Sequence, residues 1–367
     1  MKFLYTLIAS LFYFIMTAQQ PFVTTWEVTA GDLDIFIPVD AVDYTYDYTV
    51  DFGDGTVLTN QNNSVSHTYS SPGTYTVSIS GIFPYLRSGS YSYNDQNIMT
   101  VEQWGDIQWQ SMHSSFRYCG NLTINATDTP DLSNVTDMSY MFKNADSVNS
   151  PTISNWDVSN VTNMKGLFKD AVSFNQPLNN WDVSNVTNME GLFKDADNFN
   201  QPLNDWDVSN VTNMSEMFYG YSDFNQPLNN WDVSSVTDMS FMFFNSYLFN
   251  QPLDNWDVSN VTNMKSLFDS ADSFNQPINN WDVSNVTDMN NMFNGFQTFL
   301  TDFNQPLDNW DVSNVTDMAE MFKESNFNQP INNWNVSNVT NMSEMFRDSN
   351  FNQPINNWNV SNVTNME

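Results

Sequence analysis

From Trp156 onward the chain repeats one block, W-D-V-S-N-V-T-N-M-x-x-(L/M)-F, to its last residues. The tryptophans Trp156, Trp181, Trp206, Trp231, Trp256, Trp281, Trp310, Trp334 and Trp358 are spaced by 25 residues five times, then by 29, then by 24 twice. A fixed period in the twenties marks one supersecondary unit stacked on copies of itself, because no single unit of that size can bury its apolar face alone. Such arrays share a continuous core and offer long regular surfaces rather than an enclosed reaction centre. The first expectation is therefore a binding or scaffolding protein and not an enzyme. The residues agree, since no His-paired nucleophile, zinc-ligand spacing, phosphate loop or distinctive acid pair stands out.

Within a repeat, Val161, Met164, Leu167, Phe168 and Ala171 recur at the spacing of one helix face, which predicts a short helix. Ser159 or Asn160 would cap its N-terminus, and Asp157 would sit favourably at its positive end. Pro177 ends any helix, and Leu178 to Val183 is the candidate short strand. Stacked strands lie about 4.8 Å apart. The Trp, Phe and Leu/Ile positions should then form apolar columns, and Asn175, Asn200, Asn225 and Asn250 an asparagine ladder serving turn carbonyls. Upstream, Met112, Phe116, Cys119 and Leu122 keep the same spacing, which makes Trp104 to about Pro130 a degenerate first coil. Cys119 falls where Ala145, Ala171, Ala196 and Ala271 stand, so it reads as a small buried residue. A lone cysteine allows no internal disulfide.

Three surface features could carry function. Asp157, Asp182, Asp207, Asp232, Asp257, Asp282 and Asp311 recur once per coil and give way to Asn335 and Asn359. Capping needs only a side-chain oxygen, which Asn also supplies, so capping is the preferred reading. Asp182, Asp207, Asp232 and Asp257 could instead form a calcium row. Asn160-Val161-Thr162 and its copies match a glycosylation sequon, but the copy at Ser235 lacks the Asn, and packing explains the triplet. The coil from Trp281 carries a four-residue insertion within Gly295 to Thr301. Insertions in solenoids project as loops, often on the binding face, which makes Phe296, Phe299 and Leu300 the best single candidate contact site. A bulge tolerated without functional gain is the alternative.

Residues of about 22–100 do not repeat. Short alternating runs such as Ile35-Phe36-Ile37, Tyr44 to Val50 and Thr74 to Ile79, separated by Asp54-Gly55 and Pro72-Gly73, read as a small β-sandwich. Asp51 and Asp54 would accept backbone N–H bonds in their turn or, alternatively, hold calcium with loop carbonyls. His67 has no His, Cys or Glu cluster near it and reads as a packed residue. The segments Val50-Asp51-Phe52-Gly53-Asp54-Gly55-Thr56, His67-Thr68-Tyr69 and Gly73-Thr74-Tyr75-Thr76-Val77 resemble, in order, the polycystic-kidney-disease (PKD) domain. That resemblance implies an immunoglobulin-like sandwich used as an extracellular spacer or interaction module.

Residues 1–18 have the form of a signal peptide: Lys2, a 14-residue apolar run from Phe3 to Met16, and Ala18 for cleavage. That run is shorter than the roughly 20 residues a spanning helix needs, and no other segment could span a bilayer. Ten Lys+Arg against 42 Asp+Glu give a net charge of −32, which repels nucleic acid and anionic membranes. The chain stops at Met366-Glu367, inside an expected helix and without the polar cap that an array needs, so a truncated array is expected.

The block W-D-V-S-N-V-T-N-M-x-x-M-F-x-x-A-x-x-F-N-Q, with Trp104-Gly105-Asp106-Ile107 ahead of it, resembles the BspA-like leucine-rich-repeat surface proteins over residues 101–367. The resemblance implies a right-handed leucine-rich-repeat-like solenoid, with a short strand and a short helix per coil, on a bacterial surface. It implies an adhesin and no catalytic residues. The expected organisation is a signal peptide at 1–18, a PKD-like sandwich at 22–100, a capping coil at 101–130 and the solenoid at 131–367. The expected partner is an extracellular protein or glycan, not nucleic acid, with no cofactor apart from the calcium alternative. A passive surface stalk is the alternative, favoured by the near-identity of the coils.

Overall fold

The computed structural model describes residues 19–88, 97–220, 222–295 and 300–366. The expected signal peptide, Phe296 and Phe299 lie outside the described residues. Eight strands open the chain: β1 (Phe22–Val28), β2 (Asp34–Ile37), β3 (Asp47–Asp51), β4 (Val57–Gln61), β5 (Val65–Thr68), β6 (Gly73–Ile82), β7 (Ile98–Gln103) and β8 (Thr123–Ile124). One sheet has the order β4-β3-β6-β1-β7-β8, and β2 pairs with β5 in a second. Alternation drives the sandwich. Every second residue of β1 is buried, namely Phe22, Thr24, Trp26 and Val28, and Ile35, Ile37, Val50 and Val77 join them from other strands. Thr24 is the one polar member of the β1 set, and its hydroxyl accepts the Trp26 Nε1–H at 2.8 Å, so neither polar group is buried without a partner.

β7 crosses the expected boundary at residue 100. It pairs antiparallel with β1 and parallel with β8 of the first coil, so the sandwich sheet runs on into the stack. Phe22, Phe83, Trp104 and Trp109 interlock at this junction, and Trp104 also meets Phe116 and Trp156 of the coils. Gly105 makes the close approach possible: at φ +65 a Cβ would fall 2.3 Å from the Pro21 carbonyl oxygen.

The coils stack as expected, but the described coils contain no α-helix, and Leu178 to Val183 is not a strand. Pairing is carried instead by one residue per coil, in parallel bridges that run Asp137, Asn163, Asn188, Asn213, Asp238, Asn263, Asp288, Asp317, Asn341, Asn365. The segment expected to be helical forms consecutive tight turns. The N–H groups of Met164, Gly166, Phe168 and Asp170 donate to Asn188, Glu190, Leu192 and Lys194 of the next coil. Those of Leu167, Lys169 and Ala171 bond three residues back. Gly166 and Asp170 take left-handed backbone, at φ +57 and +59, which a helix excludes. A helix would satisfy these donors internally, whereas here half of them join neighbouring coils. The apolar spacing serves both conformations, which is why it misled.

The expected columns are present. Phe168, Phe193, Phe218 and Phe243 stack with centroids 5.6–5.9 Å apart, and Trp231, Trp256 and Trp281 lie nearly parallel at 6.3–6.4 Å. From Trp181 onward the indole N–H groups also reach back to the preceding coil, as that of Trp231 does to the Leu203 carbonyl at 2.9 Å. The asparagine ladder serves donors rather than the carbonyls expected: Asn225 Oδ1 accepts the Asn250 N–H at 3.0 Å and the Gln251 Nε2–H at 3.0 Å. Cys119 is buried in the core, outside any disulfide.

Candidate ligand-binding face

Most polar files of the stack are consumed by the stack. Asp182 Oδ1 accepts the Ser184 N–H at 3.1 Å and its hydroxyl at 2.6 Å, and Asp207 and Asp232 do the same with Ser209 and Ser234. Asp257 accepts the Ser259 N–H at 3.1 Å. These bonds close turns, not helix N-termini, and those from Ser184 hold the Asp182 carboxyl below the usual range. Asn185 Nδ2 donates to the Ser159 carbonyl at 2.8 Å, so the sequon asparagines also bind coil to coil. Thr187 is exposed and lies beside the bridge rather than on a helix, but its hydroxyl donates to the Thr162 carbonyl at 3.2 Å.

In the sandwich, Asp51 Oδ1 accepts the Gly53 N–H and Asp54 Oδ1 the Thr56 N–H, both at 2.9 Å. Asp54 Oδ2 meets His67 Nε2 at 2.8 Å, and the His67 ring stacks on Phe52 at 4.3 Å. The Thr56 bond, with that to His67, lowers the Asp54 pKa. Among the described residues no group of three or more His, Cys, Asp or Glu is placed to hold a metal ion.

One face is different. The turn corners at 165, 166, 169 and 170 align across coils through the bonds Asn144→Lys169, Asp170→Lys194, Asp195→Tyr219, Gly220→Phe244, Asn245→Asp269, Ser270→Asn294 and Gly295→Lys323. Reading along one file therefore gives Lys143, Lys169, Lys194, Tyr219, Phe244, Asp269, Asn294, Lys323 and Arg347. Flanking files give Tyr140, Gly166, Gly191, Glu216, Phe241, Ser266 and Lys165, Glu190, Ser215, Ser240, Lys265. The next turn also varies, as Val172-Ser173, Asp197-Asn198, Tyr247-Leu248 and Asp272-Ser273 show, whereas the ladder and column positions barely do. Of the ten Lys and Arg in the chain, all but Lys2 and Arg87 stand on this face.

Its chemistry changes along the stack. Lys165 pairs with Glu190 and Lys194 with Glu216, each at 2.8 Å. Burial, then Lys194 and Lys143, lower the Lys169 pKa. Tyr219 and Phe244 stack at 4.5 Å, and Phe241 packs beside Phe244 at 6.0 Å. All three rings are half-buried. Asp269 is buried and takes bonds from Ser266, Ser270 and Asn294, yet burial pushes its pKa up to about 7. The insertion leaves from Gly295 at the edge of this face and rejoins at Thr301, whose N–H donates to the Glu324 carbonyl at 3.2 Å; Leu300 beside it is exposed.

Sequence reasoning singled out the insertion but missed Tyr219, Phe241 and Phe244. The signal was available in the two x-x gaps on either side of (L/M)-F. The apolar hollow at the last coil, lined by Met342, Met345, Phe346, Ile355 and Trp358, is the surface on which each earlier coil seats its successor.

Comparison with known proteins fits this division. A PKD domain model matches residues 17–82, which gives the chain an immunoglobulin-like sandwich at its N-terminal end. No helix among the described residues is long and apolar enough to cross a membrane. No curated protein and no solved structure matches the chain. A second family model matches residues 110–225, 201–302 and 299–367, together more than half of the chain. The chain thus belongs to the family described as Mycoplasma protein of unknown function, DUF285.

Proposed function

We propose that this is an exported adhesion protein of the BspA-like kind, which binds an extracellular protein or glycan through its stack of coils. The observation that carries the reading is the change of chemistry along the turn-corner files, from lysines through Tyr219, Phe241 and Phe244 to Asp269, while the ladders and columns stay uniform. A stack needs its ladders and columns to be uniform, but packing asks for no particular order of Lys, Tyr and Phe at these turn corners. Recognition does, because a site is a specific sequence of chemistries in space. The sandwich would serve as spacer, rigidly joined through β7, and residues 1–18 as the export signal.

The test is binding of the purified chain to arrays of extracellular proteins and glycans, with calcium and then with chelator. Saturable binding that is lost on deleting 295–301 places the contact at the insertion. Loss only with chelator promotes the aspartate row to a calcium site. A well-folded chain that retains nothing contradicts the adhesin and favours the second reading, a passive stalk, for which the uniform ladders speak.

A further inference from the structure

The variable face carries a cluster of three rings outside the core, flanked by cations. Tyr219, Phe244 and Phe241 come from two successive coils and touch one another. The Lys194 ammonium lies 3.7 Å from the Tyr219 ring centroid on one side, and the Lys265 ammonium 5.9 Å from the Phe241 centroid on the other. Among the described residues no carboxylate lies within 4.0 Å of Lys265. Rings at these positions are not required by the fold. The same files hold Gly191, Glu216 and Ser266 in place of Phe241, and Asp269, Asn294 and Lys323 in place of Phe244.

We propose that this ring platform binds a glycan bearing carboxylate sugars, with sugar rings stacked on Tyr219, Phe244 and Phe241 and a carboxylate held by Lys265 at one edge, Lys194 standing at the other. The proposal rests on the adhesin reading and names its ligand class. Size argues against a protein partner: three half-buried rings offer on the order of 300 Å² at most, against about 800 Å² per side in a stable protein interface. Charge argues against a dense polyanion. A duplex with one phosphate per ~1.7 Å needs many cations together, whereas this chain carries −32 overall and the platform has two lysines, one of them paired with Glu216. A sparsely carboxylated glycan meets one lysine at a time and suffers little repulsion.

The test titrates the full chain with hyaluronan oligosaccharides, and with neutral dextran oligosaccharides, heparin and single-stranded DNA for comparison. The uronate oligosaccharide is expected to bind saturably and the neutral one to bind far more weakly. Phe241→Ser with Phe244→Asn, residues already accepted in these files, should weaken binding about tenfold or more. Melting should be little changed. Lys265→Asn should weaken binding and flatten its salt dependence, and serves as the readout if the ring variant melts early. Lys323→Asn, in the same file as Phe244 but three coils on, should change nothing. The proposal is overturned if the uronate does not bind, if the ring variant binds it unchanged, if Lys323→Asn matters as much as Lys265→Asn, or if heparin or DNA is preferred. Failure of the uronate to bind while an extracellular protein is retained equally by the parent and ring-variant chains would sink the glycan site and leave the adhesin standing. Retention of no ligand of any class would sink both.

Discussion

The sandwich and the stack solve the same problem in opposite ways. In the sandwich, backbone pairing is deep: β1 and β6 match over seven residue pairs. The core then follows from strict alternation. In the stack no run of strand pairing forms: one bridging residue per coil and alternate turn N–H groups bond to the next coil, and side chains add the asparagine ladder, the indole bonds and the ring columns. A chain with little regular secondary structure can thus still satisfy its backbone, provided each coil repeats the same side chains at the same heights. Uniformity is therefore structural evidence, and departures from it are where function should be sought.

The comparison can be broken at its strongest point by Trp231→Ala. A buried ring and its bond to the Leu203 carbonyl are lost, and about 3–5 kcal/mol of stability should go with them. Hydrogen exchange should rise in the coils on either side and stay unchanged in β6, because coils contact only their neighbours. Gly105→Ala tests the junction: a Cβ against the Pro21 carbonyl should cost about 2–4 kcal/mol and loosen sandwich from stack in limited proteolysis.

Asp269→Asn probes the variable face through pH. The folded-state pKa of about 7 lies above the ordinary carboxyl value, so the folded chain holds this proton where the unfolded chain has released it. Stability should fall as pH rises from about 4 to 7 and stay lower above that range. The Asn variant should remove the fall, melting higher than the parent at pH 8, by a few kcal/mol at most, and alike at pH 4. Asn225→Ala leaves the Asn250 N–H and the Gln251 amide without their acceptor, at a cost of about 1–2 kcal/mol by chemical denaturation. Asp182→Asn keeps the turn acceptor, as Asn335 does for Ser337, and should shift stability by less than about 0.5 kcal/mol with or without calcium.

Much of this was legible in the repeat. Its period implied the stack, its Trp and Phe positions the columns, Asn225 and its equivalents a ladder, and Phe52 to Tyr75 the sandwich. The conformation of Val161 to Ala171 was not legible, because buried positions at i, i+3, i+7 and i+10 fit a helix face and equally fit successive turns with left-handed corners. Which one forms depends on whether Gly166 and Asp170 bond within the coil or across to the next, and that is a tertiary choice. The strand was misplaced for a related reason: one bridging residue per coil, at Asn163, leaves no run of alternation to read. Tyr219, Phe241 and Phe244 were visible as scatter at x positions but gain meaning only once the files are aligned in space.

The central claim is that the coils are built from bonds between coils and not from helices within them. Far-UV circular dichroism of the purified chain tests it most directly. The expected spectrum is one of strands and turns, without the double minimum of α-helix. A strong helical double minimum that is lost together with the cooperative unfolding of the stack would contradict it.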